Sequence, residues 1–261
     1  MRRILHLSDL HFGRLRDGLA EPLLDAVTRA RPDLVAISGD LTQRATPEQF
    51  RAARAFVDRI AAPVVMVPGN HDAPLGAVFE RIFAPWRRWR RWLGDDLEPV
   101  WRDGLLDVVG LNTADPWRWQ SGRFPRDACA RLATLTGGRP DPRRLRVVVA
   151  HHPLIQRPED PKAPTRGGGA GLAGLARVGA DLVLTGHLHR WRAETAEGVV
   201  LCAAGSSLST RLRGEDNDFN LLEVSPSRIR IVRHGAPSGS PAYAPAGEAS
   251  FVRDGAGWRA A

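Results

Sequence analysis

The chain has little cysteine: Cys129 and Cys202, far apart, are the only two in 261 residues. That excludes a disulfide framework and a thiolate zinc site and fits a reduced compartment. Long apolar runs are missing as well, since none approaches the roughly 18 residues of a membrane span. The opening Met1-Arg2-Arg3-Ile4-Leu5-His6-Leu7-Ser8-Asp9 reaches a carboxylate too soon for a signal peptide, so a soluble, cytoplasmic protein is expected. Lysine is nearly absent: Lys162 is the only one among 37 basic residues. The net charge of +8 would ordinarily suggest nucleic acid or another polyanion. Here arginine is spread over the whole chain without a basic tail, which reads as a coding bias. The charge therefore argues for small anionic substrates rather than a nucleic-acid partner. No internal repeat and no coiled-coil segment is found.

What is present is ordinary globular composition, with 43% apolar and 25% charged residues. A chain of this length buries roughly 70–75% of its unfolded surface without a covalent staple. Short β-branched or Leu-rich runs alternate with helical patterns, the α/β signature. Residues 4–8, 34–38, 64–67, 105–111, 145–150 and 182–185 read as strands, and 19–30, 78–93 and 170–178 as helices. Thr46-Pro47-Glu48-Gln49 opens a further helix, with Thr46 as cap, Pro47 in the first turn and Gln49 completing a capping-box pattern. From residue 199 on, strands follow without helices (199–203, 220–224, 228–233), implying two sheets packed together. Residues 1–235 then form the domain. Residues 236–261 are a Pro/Ala/Gly-rich, partly mobile segment, from which Phe251, Val252 and Trp258 return to the body.

Six of the eight histidines (His11, His71, His151, His152, His187 and His189) lie just past a predicted strand, where α/β folds carry functional loops. Asp9 and His11, and again His187 and His189, are two apart, so an extended backbone points each pair to one side. Asp40 and Asn70-His71-Asp72 each follow a glycine, which lets the backbone turn sharply. Imidazoles, carboxylates and an amide without thiolate suit first-row divalent cations such as Mn, Fe or Zn. They are too many for one tetrahedral site. Two metals sharing a carboxylate would use them all, as suits displacement at phosphorus.

Asp9-Leu10-His11, Gly39-Asp40, Gly69-Asn70-His71-Asp72, His151-His152-Pro153 and Gly186-His187-Leu188-His189 resemble, in order, the five blocks of the calcineurin-like metallophosphoesterase superfamily. The resemblance implies a four-layer α/β/β/α sandwich of two mixed sheets, with the site at the strand C-terminal ends. It implies two divalent metal ions, one held by Asp9, His11, Asp40 and His189, the other by Asp40, Asn70, His151 and His187, with Asp40 bridging. His71 would stand beside the leaving group as proton donor, off the metals. In His151-His152 the first histidine is the implied ligand. The implied reaction is phosphoester hydrolysis by a bridging hydroxide. The wording of blocks two and three, with Pro47-Glu48-Gln49-Phe50 between them, resembles the bacterial cyclic-nucleotide-phosphodiesterase-like branch, hence a small diester or cyclic nucleotide as substrate. The alternatives are a pyrophosphohydrolase of a nucleotide-linked lipid, a nuclease, and a catalytically silent scaffold of the same fold.

One departure stands out. Where the phosphoprotein-phosphatase branch has an acidic residue and then a phosphate-gripping arginine after the metal aspartate, this chain has Gln43 and Arg44. Arg44 is then the expected phosphate clamp and Asp72 the substitute partner of His71. Plainer readings hold elsewhere: His6 packs in the core, His234 lies on the surface, and Cys202 is a small buried hydrophobe. Trp86-Arg87-Arg88-Trp89-Arg90-Arg91-Trp92 reads as a substrate-facing lip, a homodimer or anionic-membrane contact, or, most plainly, an amphipathic helix with tryptophans in and arginines out. Trp117-Arg118-Trp119 is a candidate substrate contact near the site.

Overall fold

Alternate residues of the central strands face opposite cores. In the computed structural model, which describes residues 1–135, 141–160, 162–255 and 257–261, the chain runs β1 (Arg2–Leu7), α1 (Ala20–Ala30), β2 (Leu34–Ile37), α2 (Pro47–Val57), β3 (Val64–Met66), α3 (Val78–Phe83), α4 (Arg87–Trp92), β4 (Val100–Arg102) and β5 (Leu106–Leu111). It continues through α5 (Ala128–Leu135), β6 (Leu145–Ala150), α6 (Gly168–Arg177), β7 (Leu182–Thr185), β8 (Arg192–Ala196) and β9 (Val199–Ala203). It ends with β10 (Asn217–Ser225), β11 (Arg228–Ala236), β12 (Ala244–Asp254) and β13 (Gly257–Ala260). One sheet has the order β13-β12-β11-β10-β1-β2-β3 and the other β4-β5-β6-β7-β9-β8. Both are mixed. β1, β2 and β3 run parallel, as do β5, β6, β7 and β9, while the remaining pairings are antiparallel.

The period of two explains the layers. Ile4, Leu34 and Ala36 meet Val147, Val149, Leu182 and Leu184 in the core between the sheets. Leu5, Leu7, Val35 and Ile37, offset by one, pack on the helical side with Leu23, Val27, Phe50 and Phe56. In the second sheet Val148 and Ala150 turn outward to Leu132, Leu172 and Leu175 of α5 and α6. The result is the expected α/β/β/α order. Strands buried on both faces are continuous apolar runs, which is why they were legible.

The helix expected over 78–93 is two helices. Pro85 pushes Ala84 out of the helical region (φ −150°, ψ 54°), and α4 restarts from Trp86. In α4, Trp89 is buried and Arg87, Arg90 and Arg91 are exposed, the amphipathic arrangement. Thr46 caps α2 by accepting from Gln49 N at 3.4 Å, but the Gln49 side chain reaches Arg44 N rather than closing the box. His6 is buried, its Nε2 2.9 Å from Ser38 Oγ, and burial pushes it down to about 3. His234 is half-buried and stacked on Phe219, not simply on the surface.

Within 236–261 two strands form. β12 pairs with β11 across a bulge at Arg233/His234, and β13 pairs with β12. Their small residues carry little apolar alternation, so composition hid them. Phe251 and Trp258 do return to the core, and Trp258 Nε1 donates to Asp181 Oδ1 at 2.9 Å. Among the described residues no helix is long and apolar enough to cross a membrane.

Leu184 is fully buried between the sheets, whereas Phe79 is 81% exposed. Leu184→Ala should lower unfolding stability by about 2–5 kcal/mol and Phe79→Ala by under about 0.5 kcal/mol in urea titrations. Equal losses would show that the inter-sheet layer is not the main core.

Candidate metal centre

Every residue of the five blocks follows the carboxyl end of a parallel strand: Asp9 and His11 after β1, Asp40 after β2, Asn70 after β3, His151 after β6, His187 and His189 after β7. The turns there are unusual. Asp9 (φ 51°), His11 (50°), Asp40 (53°), His187 (70°) and His189 (56°) all sit in the left-handed region. Such backbones cost about 1–3 kcal/mol each and persist only where surroundings over-determine them. The surroundings here are inter-loop hydrogen bonds that prolong the sheet pairing: Asp9 N to Gly39 O at 3.1 Å, His11 N to Asp40 O at 2.9 Å, and Gly186 N to His151 O at 3.0 Å. A Cβ on Gly69 would lie 2.1 Å from Asp40 Oδ1, so only glycine lets these loops approach.

The side chains gather into two nests. In the first, Asp9 Oδ1 lies 3.0 Å from His189 Nε2 and 3.5 Å from His11 Nε2, with the two imidazole nitrogens 3.3 Å apart. In the second, His151 Nε2 lies 3.2 Å from both Asn70 Oδ1 and His187 Nδ1. Asp40 Oδ2 stands between them, 3.7 Å from His11 Nε2 and 3.4 Å from His151 Nε2. Ligand atoms held about 2.0–2.2 Å from one tetrahedral ion are about 3.3–3.6 Å apart, so these spacings suit a shared cation.

Two further observations test the fit. Asp9 Oδ1 and Asp40 Oδ2 are buried without a hydrogen-bond partner. The opposite oxygens are satisfied, Asp9 Oδ2 by Ser8 Oγ (2.7 Å) and His187 N (2.9 Å), and Asp40 Oδ1 by His71 N (2.8 Å). A buried carboxylate oxygen left open beside imidazole lone pairs is costly unless a cation joins them. The tautomers agree as well. His151 Nδ1 donates to Ser38 O at 2.7 Å and His189 Nδ1 to Arg211 O, which turns both Nε2 lone pairs inward. Asn70 Nδ2 donates to Trp119 O at 3.1 Å, leaving its oxygen for the second nest. Burial opposes ionisation of Asp9 and Asp40, but the histidines around them outweigh it and hold both well below the usual carboxylate range. Oxygen and nitrogen donors without sulfur suit divalent first-row metals.

Not every candidate residue joins the nests. His71 lies beside them, its ring 5.0 Å from that of His11, with Nδ1 on Gln43 O (2.8 Å) and Nε2 on Arg211 Nη1 (2.8 Å). Asp72 does not pair with the His71 ring. Its carboxylate accepts from Gly69 N, Leu41 N, Thr42 N and Thr42 Oγ1, bracing the loops after β2 and β3. Arg44 is exposed, and among the described residues its guanidinium makes no hydrogen bond or ion pair. His152 Nδ1 is engaged by Thr113 Oγ1 at 2.9 Å. Its ring lies 4.3 Å from that of His187, and with Nε2 buried and without a hydrogen-bond partner it forms with His151 and His187 a further grouping that could hold a metal ion.

Three neighbours escaped the sequence reading. Arg211 touches His71 and, through its carbonyl, His189; in so arginine-rich a chain nothing marked it. Lys162 donates to His187 O, and burial pushes it down to about 8. Its being the only lysine was the available signal. Ser8 orients Asp9, with adjacency to the first block the only hint. Trp117 and Trp119 are exposed on the loop that holds Asn70, and Arg81 pins that loop through Pro116 O and Arg118 O.

A family model described as calcineurin-like phosphoesterase matches residues 2–191. The chain is 28% identical over 161 residues to a probable cyclic nucleotide phosphodiesterase of Synechococcus, which covers 58% of this chain and 58% of that protein. The chain thus spans little more than half of that relative's length. It is 26% identical to a cAMP/cGMP dual specificity phosphodiesterase of Mycobacterium tuberculosis, covering 87% of this chain and 77% of that protein. Among solved structures, a dimetal phosphatase from Danio rerio superposes with a TM-score of 0.67 at 15% identity, covering 90% of this chain and 96% of that one. At this identity the likeness is one of fold.

Gly69→Ala tests the packing argument. The added methyl would force Asp40 aside, so bound metal per chain should fall severalfold while far-ultraviolet circular dichroism stays near wild type. Unchanged metal content would mean that the loop after β3 has more freedom than the contact allows.

Proposed function

The chain belongs to the calcineurin-like phosphoesterase family, matched over residues 2–191, and from that premise we propose that it hydrolyses small anionic phosphodiesters, cyclic nucleotides first among them. The observation that carries the reading is Asp40, with one carboxylate oxygen tied to the His71 amide and the other left open between two donor nests. In this reading Asp9, His11, Asp40 and His189 hold one divalent cation, Mn, Fe or Zn, and Asp40, Asn70, His151 and His187 hold a second. Bound there, the pair supplies Lewis-acid activation of a phosphoryl oxygen and of the attacking water.

The chain's own contribution is orientation. Ser38 O and Arg211 O fix the tautomers of His151 and His189, Trp119 O fixes the amide of Asn70, and Ser8 fixes the carboxylate of Asp9. His71 stands off both nests, with Nδ1 on Gln43 O and Nε2 on Arg211 Nη1. Trp119, exposed one bond network away from Asn70, offers a flat apolar surface to a nucleobase. The diester preference is supported by the named relatives and by Gln43, which puts an amide where the phosphoprotein-phosphatase branch has an acid. Free thiols at Cys129 and Cys202 suit a cytoplasmic place of action.

One observation favours a second reading. Val78, Phe79, Phe83, Trp117 and Trp119, most of the large exposed apolar side chains, fall on two segments that Arg81 joins beside Asn70. Such a lip would suit a nucleotide-linked lipid, and a tenfold higher kcat/KM for an acylated pyrophosphate over any cyclic nucleotide would favour it.

Asp40→Ala should remove more bound metal and more activity than Asn70→Ala, since it strips an oxygen from both nests. Elemental analysis with parallel rates checks this, and equal losses would mean that Asp40 serves one ion only. At neutral pH, kcat/KM for diesters should exceed that for monoesters with the same leaving group. A tenfold preference for monoesters would reject the substrate class.

A further inference from the structure

We propose that Arg211 grips the non-bridging phosphoryl oxygens of the substrate, and that His71 is the positioning residue that aims it. The proposal rests on the reading of the two nests as a phosphoesterase centre. It starts from the His71 ring. A carbonyl can only accept, so the 2.8 Å contact to Gln43 O puts the proton on Nδ1. A guanidinium can only donate, so the 2.8 Å contact from Arg211 Nη1 makes Nε2 the lone pair. The ring is therefore neutral and in one tautomer, with no proton on the nitrogen that faces the site. His71 holds a cation there rather than a proton.

Among the described residues, Arg211 has neither a carboxylate nor a set of carbonyls on its guanidinium. Many partly buried arginines meet carboxylates, as Arg88 does on Glu80, Arg144 on Asp107, Arg192 on Asp160, and Arg233 on Asp218 and Glu215. Arg81 and Arg16 spend donors on backbone carbonyls. Arg211 is half-buried, and among the described residues it has no carboxylate within ion-pair distance. Burial lowers its pKa, and the carboxylates that oppose this are Asp40 and Asp9 of the nests. Nη1 serves His71, with Gln43 Oε1 at 3.5 Å, while the described hydrogen bonds leave Nε and Nη2 unassigned. The backbone is fixed: Arg211 N donates to Ser209 Oγ, Thr210 N to Arg14 O, and Arg211 O takes His189 Nδ1. A rigidly mounted planar fork, with donors to spare beside two cation nests, matches the oxygens of a phosphoryl group. Arg44, the arginine that the block wording suggests, is exposed instead.

The test uses full-length protein loaded with Mn and assayed for metal per chain. Inorganic phosphate is titrated calorimetrically into wild type, Arg211→Ala, Arg211→Lys and His71→Ala. The expectation is unchanged metal content, phosphate affinity at least tenfold weaker in Arg211→Ala, partial recovery in Arg211→Lys, and an intermediate loss in His71→Ala. Losing one such donor should cost about 10²–10³ in kcat. Because the grip is on the phosphoryl oxygens, the loss should be alike for bis(p-nitrophenyl) phosphate and for a cyclic nucleotide. Unchanged phosphate affinity in Arg211→Ala overturns the proposal. So does His71→Ala sparing the aryl diester while crippling the cyclic nucleotide, the pattern of a proton donor to the leaving group. If wild-type protein hydrolyses no diester, the functional reading fails separately, and the phosphate affinities still decide Arg211.

Discussion

Two buried carboxylates, each with one oxygen left open, dictate how the strand-end loops must close. Asp9 and Asp40 are fully buried, and each spends its other oxygen on a backbone amide, with Ser8 adding a second donor to Asp9. Those amides belong to His187 and His71, so each carboxylate is oriented by a block distant from its own. The open oxygens then face imidazole nitrogens whose lone pairs are turned inward by carbonyls behind them. Remove any of these partners and a buried polar group is orphaned, at a cost of several kcal/mol where a charge is concerned.

That arrangement requires turns that no strand or helix supplies. Five candidate ligands adopt left-handed backbones, at a cost of about 1 kcal/mol or more each. The burial of a few aliphatic side chains offsets strain on that scale. This is why the loops leave strands whose two faces are both packed. Ile4 and Leu5, or Val148 and Val149, look into different cores, and the strand ends have little freedom to relax the turns that follow. Strain is held at the site, and stability lies in the layers below.

Charge is arranged with the same economy. Most partly buried arginines neutralise a carboxylate within the fold, as Arg233 does with Asp218 and Arg253 with Asp181. Arg211 and Lys162 do not. They border the nests, one on His71 and His189, the other on His187. Cations without carboxylate partners next to candidate ligands for divalent metals leave an excess of positive potential, which suits an anionic phosphoester more than any neutral ligand.

The layered fold was legible in the chain's apolar pattern, and the candidate donors in the resemblance of their blocks. Strands buried on both faces must be continuous apolar runs, and the histidine and aspartate blocks that follow them are local in the chain. Position past the strands picked out the histidines and carboxylates as a group, and the choice of Asp9, His11, Asp40, Asn70, His151, His187 and His189 among them is what the resemblance of the blocks implies. Periodicity could not reveal β12 and β13, whose alanines, serines and glycines carry little alternation, nor the break in 78–93 until Pro85 was weighed. Which groups surround the donors was settled by the packing of distant loops. It sent Asp72 to four loop donors instead of His71, left Arg44 in solvent, and brought Arg211 and Lys162 in from distant loops. Such contacts join residues far apart in the chain, and one arginine among so many carries no local mark. They are fixed by how the strand-end loops pack together, which no pattern within a single segment can express.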